Sequence, residues 1–279
     1  MRLQMATVAA IGMCAAALVG CGGGAPVSPR QSAIPVLVYR DVQPKQLAHQ
    51  LDQLHGAGYD TITLATFTRF LRGQPVKLPP RPFLLTFDHG RRAAFKAADE
   101  VLRDHGFNAV GFIDVGRVTD ADPAYLSWGE LDGLQRDRRW EIQLESGTGN
   151  FLMRYGPAPG DVGPFYAYRG TDEVLGGWRE RVFGDLSVAE RQLTHFIHGY
   201  RPLAVAPPYG NYGQAGTNDP EIPRLLLARL QLSFPLVFTQ DRPPLTARGA
   251  GTAERIGRLE LTPAHGDRDL QALLSKGTP

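Results

Sequence analysis

Two adjacent ionisable side chains, Asp88 and His89, follow the apolar run Pro82-Phe83-Leu84-Leu85-Thr86-Phe87 and precede Gly90. A short apolar run closed by a turn residue reads as a buried strand. A carboxylate and an imidazole at its carboxyl end put proton-transfer and metal-binding groups at the rim of a packed core. In α/β barrels and open α/β sheets alike, that rim carries the chemistry. The plainer alternative is a strand that ends in an Asp-His-Gly turn. Further strand ends rich in polar or aromatic residues are Val38-Tyr39-Arg40-Asp41, Glu141-Ile142-Gln143-Leu144-Glu145-Ser146-Gly147-Thr148-Gly149-Asn150 and Ala206-Pro207-Pro208-Tyr209-Gly210-Asn211-Tyr212-Gly213.

Strands and helices must bring these ends together. Strands are expected over 35–39, 61–64, 83–87, 109–113, 140–144, 203–206, 232–238 and 256–261. Helical spacing covers 46–57, 67–71, 93–105, 128–135 and 178–197, with Gly58 and Gly106 as stops. Strands alternating with helices argue for parallel βαβ units with right-handed crossovers. Seven or eight units in one chain favour an α/β fold closed as a distorted (β/α)7-8 barrel over an open sheet. The section 145–177 is long for a connection, and such loops in a compact domain are usually functional. Its aromatic residues Phe151, Tyr155, Phe165, Tyr166 and Tyr168 are expected to pack over the barrel mouth.

The chain has 279 residues, room for one large domain, and its 22 prolines and 32 glycines imply many turns. Net charge is +2, and the absence of a basic block or an aromatic-interleaved basic patch argues against nucleic acid. Arg2 precedes an apolar run from Ala6 to Gly20, too short to span a bilayer comfortably and of signal-peptide length. Its end, Leu18-Val19-Gly20-Cys21, resembles the lipobox of bacterial lipoproteins, in which the Cys is acylated. The expected organisation is a signal peptide over 1–20, a flexible tether over 21–33 and a barrel domain over 34–279. That places the protein in the bacterial cell envelope, lipid-anchored through Cys21, on the periplasmic or outer surface. The second cysteine, Cys14, lies inside the signal, so no disulfide is expected in the mature domain.

Taken together, the strand ends resemble the polysaccharide deacetylases, the family-4 carbohydrate esterases, over about 34–274. Those enzymes carry an opening Ile-Pro-Val-Leu-x-Tyr-His, a Thr-Phe-Asp-Asp-Gly, a paired-His motif and a Tyr-Pro-Tyr-Gly-like strand end. Here Gly58-Tyr59-Asp60-Thr61-Ile62, Gly106-Phe107-Asn108-Ala109, Trp128, Arg181-Val182 and Asp185-Leu186 agree as well. The resemblance implies a deacetylase-type barrel that acts on or binds an N-acetylated polysaccharide or peptidoglycan. It also implies that Asp88 matches the general base, while His89 stands where a metal-binding Asp belongs. Glu145 and Asn150 stand where the two metal-binding histidines belong, and Arg40 replaces the His of the opening strand.

Three readings of the site follow. In one the metal is lost and the domain binds sugar as a glycan-binding or assembly component of a polysaccharide export system, since Asn is a poor ligand for zinc. In another, His89, Glu145 and Asn150 hold a weakly bound divalent metal of harder character. In the third, Asp88, His89 and Glu145 carry out metal-free acid–base or glycoside chemistry. Arg40 is expected to pair with Asp88 or Glu145 and hold them ionised, or else to extend to solvent. The family's arginine, which orients the base, finds no counterpart, Arg201 being too early. Tyr209, after two prolines, is a candidate for stacking on a sugar. His265, after the last strand, is a candidate general acid or an exposed loop residue. His49, His55, His105, His195 and His198 lack metal-pair spacing. No dinucleotide fingerprint, phosphate loop or Gly-x-Ser-x-Gly elbow occurs.

Overall fold

The computed structural model describes residues 33–40, 43–251 and 255–262, with 268, 270 and 272. Asp41, Cys21 with the signal and most of the tether, and His265 lie outside the described residues. The strands are β1 (Ala33–Tyr39), β2 (Tyr59–Thr61), β3 (Arg81–Phe87), β4 (Ala109–Asp114), β5 (Trp140–Ser146), β6 (Leu152–Arg154), β7 (Val162–Pro164), β8 (Ala204–Val205), β9 (Leu236–Thr239), β10 (Leu245–Ala247), β11 (Arg255–Gly257) and β12 (Leu259–Glu260). The helices are α1 (Pro44–Gly56), α2 (Leu64–Leu71), α3 (Arg92–His105), α4 (Trp128–Arg136), α5 (Leu175–Phe196) and α6 (Ile222–Ser233). No helix among the described residues is long and apolar enough to cross a membrane.

Parallel pairing runs from β1 through β3, β4, β5, β8 and β9 to β11. One residue later, past Arg258, β12 pairs in parallel with β1. That step joins the two ends of the sheet and closes a distorted barrel whose last stave is shared by β11 and β12. Outside the ring, β2 extends the start of β3, β10 runs antiparallel to the start of β1, and β6 and β7 form a separate hairpin.

Period-2 alternation sorts the strand residues into two cores. Ile34, Val36, Leu84, Val110, Phe112, Ala204, Ala206, Leu236, Phe238 and Ile256 fill the barrel interior. Helix α2 plugs the amino-terminal end of that interior with Leu64, Phe67, Phe70 and Leu71, all fully buried. The intervening residues, among them Leu37, Leu85, Ile142, Leu144, Val205 and Val237, face outward against the helices.

Three elements depart from the expected boundaries. Thr63 caps α2 by accepting from the Thr66 amide, so the chain turns helical at Leu64 where a strand was expected. Helix α6 occupies the start of the expected strand 232–238, because Ile222, Leu226 and Leu230 recur every four residues and bury one face. The expected strand 256–261 divides at Arg258, where the chain changes partners from β9 to β1.

Glu141 begins β5 on the inward face, and its Oε2 accepts from the Leu64 amide at 2.8 Å, at the start of the plug helix. Burial pushes its carboxyl up to about 7, against the opposing pull of that amide. A carboxyl raised on folding weakens the fold when it ionises, so the loss sets in above its ordinary 4.5 and is complete past about 7. Glu141→Gln is therefore expected to melt level with the parent near pH 4 and several degrees higher near pH 8. Circular-dichroism melts across that range check this, and a constant difference between the two proteins contradicts it.

Candidate functional site

The alternation that fills the barrel interior, continued by one inward position, places Arg40, Asp88, Asp114, Glu145, Gln240 and Arg258 in a single layer at the carboxyl ends of the strands. Directly beneath them stand Val38, Thr86, Phe112, Gln143, Phe238 and Ile256. The interior therefore passes from apolar to ionised within one residue spacing of each strand. Buried charges persist only when paired and hydrogen-bonded, and each charge in this layer has its partner.

Asp88 is 3% exposed and Arg258 1%. Arg258 donates through Nη1 to Asp88 Oδ1 at 2.7 Å and through Nη2 to Oδ2 at 3.0 Å, a bidentate charge-assisted pair. Its guanidinium also lies over the Phe112 ring at 5.4 Å. Arg40 reaches Asp88 Oδ2 from Nε at 3.5 Å, but its shorter bonds go to Glu260 and to the Gln240 side-chain oxygen, both at 2.6 Å. Gln240 in turn donates to Glu260 at 2.9 Å. Strands β1, β3, β9 and the β11–β12 step are thus tied together at the mouth.

Beside this network lies a second one. His89 has φ 76°, a left-handed conformation that a His adopts more readily than a branched residue. That turn lets its amide donate to Glu145 Oε2 at 2.9 Å while Nδ1 meets the two carboxylate oxygens at 3.0 and 3.1 Å. Asn150 Nδ2 donates to Glu145 Oε1 at 3.2 Å and lies 3.2 Å from His89 Nδ1. With the proton on Nδ1, both side chains donate to the carboxylate. Burial works against the imidazolium, yet the Glu145 hydrogen bond and the charges of Glu145 and Asp88 outweigh it, and the His89 pKa rises. Burial raises Glu145, with His89 pulling the other way.

Asp114, at the end of β4, is pushed up to about 7 by burial and by the Glu145 charge, while accepting from the Ser146 hydroxyl at 3.1 Å. The loop after β5 is fixed from outside by Asp185 of α5, which accepts from the amides of Gly147 and Thr148, the Thr148 hydroxyl and the Tyr166 hydroxyl. Asn150 is held in place by that loop. Tyr209 is 46% exposed with φ 62°, and a left-handed aromatic residue stores about 1–3 kcal/mol of strain. Burial first, then the charges of Glu145 and Asp114, raise its hydroxyl pKa.

Of the candidates named from sequence, Arg40 meets Asp88, and His89 meets Glu145 and Asn150; Tyr209 lies within electrostatic reach of Glu145. Arg40 does not meet the expectation that it lowers the Glu145 pKa. Its bonds go to Asp88, Glu260 and Gln240, and Glu145 shifts upward through burial. Asp88 is instead paired with an arginine that the sequence reading did not name, Arg258. It went unseen because residues 256–261 read as one continuous strand, although a lone cation on its inward face was the available signal. Asp114 and Asp185 were likewise not singled out as site residues.

No family model matches the chain, and no curated protein does. Solved structures do. The de-N-acetylase from Aggregatibacter actinomycetemcomitans aligns over 85% of this chain and 99% of its own, with 16% identity and a TM-score of 0.69. IcaB from Ammonifex degensii gives 20% identity, coverage of 85% and 96%, and a TM-score of 0.65. The deacetylase domain of BpsB from Bordetella bronchiseptica gives 18%, coverage of 82% and 96%, and 0.64. The barrel therefore has the polysaccharide deacetylase fold.

Removing Arg258 would leave Asp88 buried without its bidentate partner. Arg258→Met is expected to lose about 3–5 kcal/mol at neutral pH. Adding Asp88→Asn to Arg258→Met should restore much of that loss, because no charge then remains unpaired. Urea denaturation of the parent, Arg258→Met, Asp88→Asn and the double variant checks this, and additive losses contradict it.

Proposed function

Taking the polysaccharide deacetylase fold as premise, we propose that this protein binds an N-acetylated glycan at the barrel mouth and does not turn it over through a resident divalent metal. The observation that carries the reading is how Glu145 is used. Its two oxygens already take the His89 amide, the His89 ring Nδ1 and the Asn150 amide group. A metal at this position would have to displace those hydrogen bonds. It would gain one imidazole, one carboxylate and at best one amide oxygen, a poor set for zinc. Among the described residues no three His, Cys, Asp or Glu side chains form a metal-holding group. The residues present do not fit a deacetylase metal, and the mouth takes positive charge from Arg258 and Arg40.

The fold neighbours support an N-acetylated glycan as ligand, since they include a de-N-acetylase and a deacetylase domain. Hydrogen-bonding side chains and an exposed aromatic at the mouth suit a sugar, which offers hydroxyls on its edges and C–H groups on its faces. A second reading rests on Asp114. Its carboxyl, pushed up to about 7 by burial and the Glu145 charge, shares the inward layer with ion-paired Asp88, and a proton donor with a carboxylate in one cleft is what metal-free glycoside hydrolysis requires. The reading also includes the cell envelope and a lipid anchor on Cys21, supported by the apolar run and lipobox-like residues before it.

Calorimetric titration with N-acetylated chitooligosaccharides, with and without a chelator, tests the main reading. Expected are saturable binding that the chelator leaves unchanged and no acetate release after loading with zinc or manganese. Metal-dependent acetate release that Asp88→Asn abolishes contradicts it, and metal-free release of reducing ends favours the second reading. For the anchor, the full chain expressed in a bacterium is expected in the detergent phase of a phase-partition assay and Cys21→Ser in the aqueous phase. Equal partitioning of the two contradicts lipidation.

A further inference from the structure

We propose that the amino-terminal end of the barrel docks on an anionic lipid surface, so that the mouth opens away from the membrane. This rests on the reading that Cys21 carries a lipid. Strand β1 begins at Ala33, which is paired with Ala247 of β10. One residue further on, Arg248 donates through Nη2 to the carbonyls of Gly73 and Gln74, both at 3.1 Å. The Gly251 amide donates to the Leu71 carbonyl at 2.9 Å. The start of β1 is thereby stitched to the end of the plug helix α2 and to the connection that follows it.

That end of the barrel is biased to one sign of charge. From Thr61 to Phe87 the chain carries Arg69, Arg72, Lys77 and Arg81 and no Asp or Glu. Arg138 and Arg201 come just before β5 and β8, parallel strands that start at the same end. Arg69, Arg72, Lys77, Arg138 and Arg201 are exposed. Among the described residues none of these five, nor Arg248, forms an ion pair. Opposing them at the strand starts are Asp60 and Asp137. Loss of the signal removes Arg2 and leaves a net charge of +1, so the bias comes from placement and not from bulk composition. Twelve residues separate Cys21 from Ala33, and a glycine-bearing chain of that length spans about 20 Å on average. A barrel domain of this size is about 45 Å across. A lipid on Cys21 therefore holds the Ala33 end nearer the headgroups than the mouth. Clustered Lys and Arg are drawn to anionic headgroups, salt screens that attraction, and a tether raises the effective concentration at which the contact acts.

The test sediments the chain from Gly22 onward, which lacks signal and lipid but keeps every described residue, with vesicles. One set is equal parts phosphatidylglycerol and phosphatidylcholine, and the other is phosphatidylcholine alone. Binding is expected to the anionic set only, and to fall about tenfold or more between about 0.05 M and about 0.5 M salt. Combining Arg72→Gln, Lys77→Gln and Arg201→Gln should weaken it about tenfold or more. Arg91→Gln, Arg179→Gln and Arg224→Gln together remove the same charge from exposed positions at the starts of α3, α5 and α6, at the opposite end. That control should weaken binding by less than about twofold. Circular-dichroism melts establish that each variant is folded. Equal binding to both vesicle sets, equal losses in the two triple variants, or no binding at all overturns the docking face. The anchor fails separately: if Cys21→Ser partitions like the parent, the lipid is absent, while the vesicle result still decides whether this face takes anionic lipid.

Discussion

The bidentate ion pair between Arg258 and Asp88 is the interaction on which the mouth of this barrel depends. Both side chains are almost fully buried, so each alone would face a desolvation penalty of several kcal/mol. Fork-to-carboxylate geometry at 2.7 and 3.0 Å is what makes the pair tolerable there. Its origin in the chain matters as much as its strength. Arg258 occupies the single residue between β11 and β12, where the sheet passes from β9 to β1. One side chain thus closes the barrel and neutralises its central carboxylate.

Around that pair the remaining charges are balanced locally. Arg40 bridges to Glu260 and Gln240, and the His89 ring meets Glu145. Asp114 holds its proton up to about 7, because burial and Glu145 leave no room for another negative charge. The layer is therefore a set of paired charges over a floor that includes Val110, Phe112 and Phe238, with Arg258 Nε the one atom of the central pair left without a hydrogen-bond partner. In the proposed function such a layer presents preset donors and acceptors to a sugar edge and offers no open ligand position to a Lewis acid.

Much of this was legible in the sequence. Apolar runs ending in Asp88 and Asn150-containing segments located strands β3 and β5, and the strand–helix alternation specified a closed barrel. Asp88 and His89 could be named because they stand just past an apolar run, whereas Glu145 and Asn150 were named through the resemblance, at the positions of its paired histidines. What the sequence withheld depends on register or on long-range contact. The leucine-rich stretch before β9 does carry a stop, Pro235 just after the α6 cap Phe234, but the expected strand was begun ahead of it at Leu232, so helix and strand merged. Arg258 looked like an ordinary polar residue in a strand, since nothing local reveals that the strand changes partners there. Whether Glu145 would meet a metal or a histidine depended on the left-handed turn at His89, a conformation its residue type permits without demanding.

The central claim is that His89 and Glu145 hold each other in place of a metal. Anomalous X-ray scattering from crystals soaked in zinc or manganese examines it most directly. The account predicts no anomalous peak at the barrel mouth and an intact His89 Nδ1 to Glu145 contact near 3.0 Å. A strong peak within bonding distance of both His89 and Glu145, with the two side chains parted around it, would contradict it.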